Sequence, residues 1–362
     1  MSVTESTASP ARPKRAINAS LIIRIVVGIV VGAFVLYRLY DVLIVEQVYG
    51  PETWMRLAIS GLILGSVYAV IALGYTLVYG ILFMINFAHG ELMMLGAFAG
   101  YFTLEAFKAS GFTEQQPLLA IILTFVVGML VSMVLGIALE RIAYRPLRSA
   151  PRLVPLISAI GASLFLQNVA QLMFGSARHT YANPAAVARG QGWTVIVNQK
   201  PVLITYTGVI TFVMSILLMV GLAILVRRTR MGRAMRAVAE DKSAAALMGI
   251  DVDRVIVNTF AISGLLAGAA GVMWGLHNGI IYHYVGFLPG MKAFTAAVLG
   301  GIGNVPGAML GGIVLGVAES VAPAALGMPF QLKDVLAFSV LVLVLIFRPT
   351  GLLGEVLSEE KV

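Results

Sequence analysis

Long runs without charge dominate the chain, and polar residues gather in short blocks between them. No Asp, Glu, Lys or Arg occurs from residue 57 to residue 90. That exceeds the roughly 20 apolar residues of one membrane-crossing helix. The pattern predicts a span over Trp54–Phe83, a tight turn near Gly80–Asn86, and a second span over Phe87–Phe107. Further spans are predicted at Leu21–Tyr37, Pro117–Leu139, Leu153–Phe174, Val202–Val226 and Val255–Leu276. Residues 293–318 are uncharged but interrupted by Gly-Gly-Ile-Gly-Asn-Val-Pro-Gly at 300–307. Pro and Gly break helices, so two short helices around a turn are expected there. A last span is expected near Leu332–Phe347. The fold class is therefore all-α: a polytopic helical membrane protein of about ten spans, some short and broken.

Composition supports this reading. Of 362 residues, 59% are hydrophobic and 12% charged, with a mean hydropathy of +0.93. A soluble domain carries about 25% charged residues. Lipid must replace water over much of the exterior. Cys is absent, which excludes disulfides and thiolate metal sites. The net charge of +8 suits nucleic acid only superficially, because the basic residues lie between apolar runs. With both ends on one side, the segments sharing that side hold 17 of the 25 Lys and Arg. Such asymmetry places that side in the cytoplasm.

The chain divides into a disordered basic tail (1–20), an additional span with linker (21–53), a main transmembrane unit (54–354) and a short C-terminal tail (355–362). Small residues recur four apart, as at Gly61/Gly65, Gly264/Gly268 and Gly312/Gly316. They predict helix faces packed at close range.

Little here resembles enzyme chemistry. None of the seven Lys follows a Gly, so no phosphate-binding G-x-x-x-x-G-K-[ST] loop exists. His89, His179, His277 and His283 lack metal-ligand spacing, and His277 and His283 are expected at the outer interface. Asn86, His89 and Glu91 cluster where one span turns into the next. Either Asn86 caps the new helix with Glu91 in its first turn, or the three residues line a path or a moving joint. Among carboxylates, only Glu91 is expected deep in a span. Gln167 and Gln171 lie one helical turn apart and suit interhelical hydrogen bonds.

The 227–254 loop begins with five arginines (227, 228, 230, 233 and 236) and continues Glu240-Asp-Lys-Ser-Ala-Ala-Ala-Leu-Met-Gly249. Ser243 is expected to cap a short helix and Gly249 to end it. Leu247 and Met248 would then be displayed, either to the membrane surface or to a groove on another protein.

Gly61-Leu-Ile-Leu-Gly-Ser-Val-Tyr-Ala-Val-Ile-Ala-Leu-Gly74 followed by Ile85-Asn-Phe-Ala-His-Gly-Glu91 resembles the start of LivH-type permeases, membrane subunits of branched-chain amino-acid ABC importers. Arg145-Pro-Leu-Arg148, Gly249-Ile-Asp-Val-Asp-Arg254, Gly286-Phe-Leu-Pro-Gly290, Ala297-Val-Leu-Gly-Gly-Ile-Gly303 and Phe347-Arg-Pro-Thr-Gly-Leu-Leu-Gly354 continue the match in order. It covers about residues 54–354, and residues 1–53 look like an addition. The resemblance implies an ABC importer permease fold in a bacterial inner membrane, with both termini cytoplasmic. It implies a second, LivM-like permease subunit, two cytoplasmic ATPases, and a periplasmic or lipid-anchored binding protein that delivers a small amino acid. ATP and Mg would be used by the ATPases, with no cofactor bound by this chain. It makes Glu240, Asp241, Ser243, Ala245, Leu247, Met248 and Gly249 the coupling segment. Urea or short amides remain alternative substrates. An ion-coupled secondary transporter and a non-transporting scaffold are the alternatives of another class.

Overall fold

The computed structural model describes residues 19–354, except residues 149 and 152 and the side chains of 19–24. Most of the expected basic tail and the whole of 355–362 lie outside the described residues. Thirteen helices are described: α1 (Ala19–Tyr40), α2 (Pro51–Leu82), α3 (His89–Ala109), α4 (Phe112–Gln115), α5 (Pro117–Leu139), α6 (Leu153–Phe174), α7 (Tyr206–Arg228), α8 (Arg230–Glu240), α9 (Lys242–Leu247), α10 (Val252–Asn278), α11 (Phe287–Gly300), α12 (Val305–Ala325) and α13 (Lys333–Phe347). Eight of these regions are long and apolar enough to cross a membrane: those of α1, α2, α5, α6, α7, α10, α12 and α13. With α3 and the shorter apolar α11, ten helices build the bundle.

Two elements differ from expectation in their extent. The span expected from Val202 begins at Tyr206, because Lys200–Thr205 is the second strand of an antiparallel ribbon. That ribbon pairs β2 (Gly192–Val197) with β3 (Lys200–Thr205) through a tight turn at Asn198 and Gln199, whose φ angles are 47° and 62°. A second small pairing joins β1 (His179–Thr180) to β4 (Ile280–Ile281). Of the two short helices expected around 300–307, only α11 is short. α12 runs 21 residues from Val305, with Pro306 in its first turn, where its missing N–H costs nothing.

α2 and α10 form the buried centre. α2 packs on α12 at backbone range. A Cβ placed on Gly316 would lie 2.1 Å from the Gly65 Cα, and one on Gly312 would lie 2.3 Å from the Ala69 Cα. α10 packs equally closely on its neighbours: a Cβ on Gly268 would meet the Gly128 carbonyl of α5 at 2.3 Å, and one on Gly271 the Met93 carbonyl of α3 at 2.1 Å. The four-residue glycine spacing is thus a packing device, as expected.

The bundle has two distinct ends. At one lie residues 140–148, α8 and α9, and the turn 301–304, where Asn304 donates to the Leu353 carbonyl at 2.9 Å. This is the arginine-rich, basic end. The other carries both β-ribbons, the Glu52–Lys200 ion pair at 2.5 Å, and the Arg38 bond to the Leu326 carbonyl at 3.0 Å. α1 runs from the basic end to the ribbon end. Its Gly28 lies beside Phe347, near the end of α13, and its Arg38 lies beside Leu326.

One arrangement occurs twice in opposite orientation. α2 ends at the basic end, residues 83–88 fold back, and α3 starts inside the bundle. α10 ends at the ribbon end, residues 279–286 fold back, and α11 also starts inside. His89, at the start of α3, packs on Gly74, about two turns before α2 ends. Phe87-Ala-His-Gly90 and Phe287-Leu-Pro-Gly290 occupy equivalent places, and they touch: a Cβ on Gly90 would lie 2.5 Å from the Gly286 carbonyl and 3.4 Å from the Gly290 Cα.

Candidate functional site

Asn86, His89 and Glu91 are all fully buried around the first fold-back, but each faces a different neighbour. Asn86 does not cap α3. The N-cap position is Ala88, with no side-chain cap, while the Asn86 Oδ1 accepts from the Tyr144 hydroxyl at 2.7 Å. Residues 86–88 already fold as a tight turn, with His89 N–H on the Asn86 carbonyl at 3.0 Å, which leaves the side chain for another element. His89 pins three helices. Its ring meets Tyr75 of α2 edge-on at 4.8 Å, and its Nδ1 lies 3.3 Å from Ser263 Oγ of α10. Ser263 in turn donates to the Gly74 carbonyl at 3.1 Å.

Glu91 lies in the first turn of α3, as expected. Its Oε1 accepts from Ser163 at 3.0 Å and from Gln167 at 2.7 Å, both on α6, while Oε2 has no hydrogen-bond partner among the described residues. Gln167 therefore makes the expected interhelical bond. Gln171 turns to Ser176 instead, at 2.9 Å. His277 and His283 lie partly buried at the ribbon end.

Glu91 is not the sole buried carboxylate. Glu319 of α12 and Glu140, just after α5, are equally hidden. Lys292 of α11 donates to Glu319 at 2.7 Å and to Asp334 of α13 at 2.6 Å, while Tyr68 of α2 donates to the other Glu319 oxygen at 3.0 Å. Both members of the Lys292–Glu319 pair are nearly inaccessible. The sequence does not display the network, because Lys292 and Glu319 flank the apolar run 293–318 and look like its polar borders. A signal was present: opposite charges on either side of a helix-breaking turn meet when the two helices fold together. Glu319 also edges an apolar cavity of about 880 Å³ between α1, α12 and α13, lined by Phe34, Leu39, Leu315, Ala322, Leu326 and Leu343.

The basic end displays the 227–254 segment. Thr229 caps α8, its side chain accepting from Gly232 N–H at 3.0 Å. Asp241, not Ser243, caps α9: its Oδ1 accepts from the N–H groups of Ser243 and Ala244 at 2.7 and 3.0 Å. The carboxylate sits one position before the first helical residue, where the cap must be; Ser243 is already inside α9 and exposed. Gly249 follows α9 with φ +82°, the left-handed geometry that stops a helix. Asp251 then caps α10 through Arg254 N–H at 3.0 Å. Ala245 anchors α9 inward at 4% exposure, and Leu247 and Met248 stand out at 89% and 83%. Glu240 and Asp241 are exposed at the junction with α8. Partial burial and then the charge of Arg148 hold the Lys242 ammonium below the ordinary lysine range.

The family described as "Branched-chain amino acid transport system / permease component" matches residues 57–345, which leaves α1 outside the match. The high-affinity branched-chain amino acid transport permease BraD of Pseudomonas aeruginosa is 45% identical, over 84% of this chain and 98% of its own length. The LivH permeases of Salmonella typhimurium and Escherichia coli K12 are 46% identical, over 82% of this chain and 94% of theirs. No solved structure matches. The chain, matched from residue 57 in α2 to residue 345 in α13, belongs to the branched-chain amino acid transport system permease family.

Proposed function

We propose that the chain is the membrane-spanning subunit of an ATP-driven importer for branched-chain amino acids, and that nucleotide is bound and hydrolysed by separate ATPase chains. The observation that carries this reading is the 45–46% identity to permeases of that named function over 94–98% of their length. Urea or a short amide is the alternative cargo of the same machinery.

The geometry supports a mechanism for the subunit. Leu247 and Met248 dock in a groove of an ATPase, burying apolar surface that α9 otherwise shows to water. Glu240 to Gly249 then passes the ATPase movement into α8 and α10, the helices that α9 directly connects along the chain. A partner can drive alternating access only by binding one state better than the other. The fold-back at Asn86, His89 and Glu91 is the joint that responds. Seventeen of 25 Lys and Arg favour a cytoplasmic basic end. A second permease subunit and a substrate-binding protein at the ribbon end complete the system.

The test is reconstitution of the chain with its ATPases, second permease and binding protein in proteoliposomes. ATP-dependent leucine uptake that exceeds urea uptake is expected. Uptake driven by a proton or sodium gradient without ATPases would overturn the reading. Orientation is measurable separately, because the chain lacks Cys: a Ser243→Cys variant should react with an impermeant thiol reagent from the cytoplasmic side only.

A further inference from the structure

Residues 140–148 link α5 to α6 by way of an irregular turn, a π-helical stretch followed by a 3₁₀ stretch. Glu140 is fully buried, and its partner is Arg148, which bonds it through Nη2. The same guanidinium donates through Nη1 to Asp253 Oδ1 at 2.5 Å, and Arg145 reaches Asp253 Oδ2 at 2.9 Å. Asp253 is the second residue of α10, two positions beyond Asp251, which caps that helix a short turn after α9. Lys242 of α9 lies within electrostatic range of Arg148. On its other side the turn holds the fold-back: Tyr144 is buried, donates to Asn86 at 2.7 Å and packs its ring 5.3 Å from Phe260 of α10.

We infer that Arg148 is a positioning residue for coupling: it ties the α9–α10 junction to the turn 140–148, and Tyr144 carries that connection to the fold-back that starts α3. The inference rests on the reading of α9 as the ATPase dock. Its physical basis is stiffness. A buried carboxylate that loses its cation is heavily penalised, so the Glu140–Arg148 pair persists as α9 moves. One guanidinium serves two carboxylates because its donors diverge in a fixed plane, which an ammonium cannot imitate. Displacement of Asp253 thereby reaches Tyr144 and Asn86 through Arg148 and the backbone of the turn. Two covalently distant elements, α9 and α3, are thus connected through the start of α10, the Asp253–Arg148 pair, the backbone of the turn and the Tyr144–Asn86 bond.

The experiment uses the full reconstituted complex and reads ATP hydrolysed per leucine imported, with subunit co-purification as the assembly control. Tyr144→Phe removes the final bond while keeping the ring. Arg148→Lys keeps the charge but not the fork. Arg148→Ala/Glu140→Gln removes the pair without stranding a buried charge. Arg141→Gln, an exposed neighbour in the same turn, is the control. The expected result is ATP hydrolysis that continues while ATP per leucine rises about tenfold in Tyr144→Phe and in the double variant, less in Arg148→Lys, and not at all in Arg141→Gln. Unchanged stoichiometry in Tyr144→Phe and the double variant overturns the inference, whether uptake stays normal or falls in parallel with hydrolysis. Failure of the wild-type complex to import leucine with ATP overturns the permease reading instead, so the two failures are distinguishable.

Discussion

Lys292→Met should destabilise the protein strongly, and the structure says by how much. Lys292 and Glu319 are 6% and 1% exposed at the side chain, and Lys292 is the near cation for both Glu319 and Asp334. Asp334 is 40% exposed and can turn to water. Glu319 cannot; it would retain the Tyr68 hydroxyl at 3.0 Å and Lys333 at 3.8 Å. Breaking a buried pair by removing one partner costs about 3–5 kcal/mol, and the remaining partners place this case near the lower figure. At about 2.1 cal/mol/K of unfolding entropy per residue, 3 kcal/mol over this chain lowers Tm by roughly 4 °C. Adding Glu319→Leu should restore at most about two-thirds of the loss, leaving about 1 kcal/mol or more from the stranded Tyr68 hydroxyl. Adding Tyr68→Phe should then return the protein close to wild type. The assay is thermal unfolding in nanodiscs, followed by the fluorescence of Trp54, Trp193 and Trp274. A Lys292→Met variant as stable as wild type would refute the argument, and so would a triple variant no better than the single one.

Three further outcomes follow from the same coordinates. Leu247→Asp with Met248→Asp should leave thermal stability within about 0.5 kcal/mol, since both side chains are exposed, yet abolish leucine uptake and ATPase co-purification; survival of both would remove the docking role of α9. Gly316→Leu should cost about 3 kcal/mol or more by forcing α2 and α12 apart, whereas Gly221→Ala on α7, where a Cβ meets nothing within 4 Å, should stabilise by about 0.5–1 kcal/mol; chemical unfolding of the two variants compares them directly. Asp241→Ala should cost about 1 kcal/mol by freeing two N–H groups of α9, visible as faster amide hydrogen exchange at Ser243 and Ala244.

Most of the fold was legible because hydrophobic runs and breakers report directly on helices. Pro117–Leu139 and Leu153–Phe174 match their helices residue for residue, since a Pro or a charged block marks their borders. The segment 200–205 was not legible as a strand: Val-Leu-Ile-Thr is apolar enough to extend a helix, and only its pairing with Gly192–Val197 decides the matter. α9 was legible in place and in its exposed residues, but not in its cap, because Asp241 and Ser243 are both good capping residues two positions apart. The residues at the fold-back were legible as buried but not in their partners. Asn86 meets Tyr144, 58 positions away, and Glu91 meets Gln167, 76 positions away, and no local pattern encodes such pairings. The Lys292–Glu319 pair is not legible because each charge stands at the edge of an apolar run, where a polar border is ordinary.

The doubled fold-back arrangement constrains how this molecule can move. α12, from the second copy of the motif, lies against α2 of the first; α10, also from the second, lies against α3 and α5 of the first. The two copies are clasped like interlocked fingers, each gripping the other at backbone distance. Many repeat-built transporters open and close by rocking one half against the other across the plane between them. Here that plane would cut through glycine contacts with no side chains to slide on. The glycine seams therefore resist sliding, and any movement received at the fold-back must pivot about them without parting them.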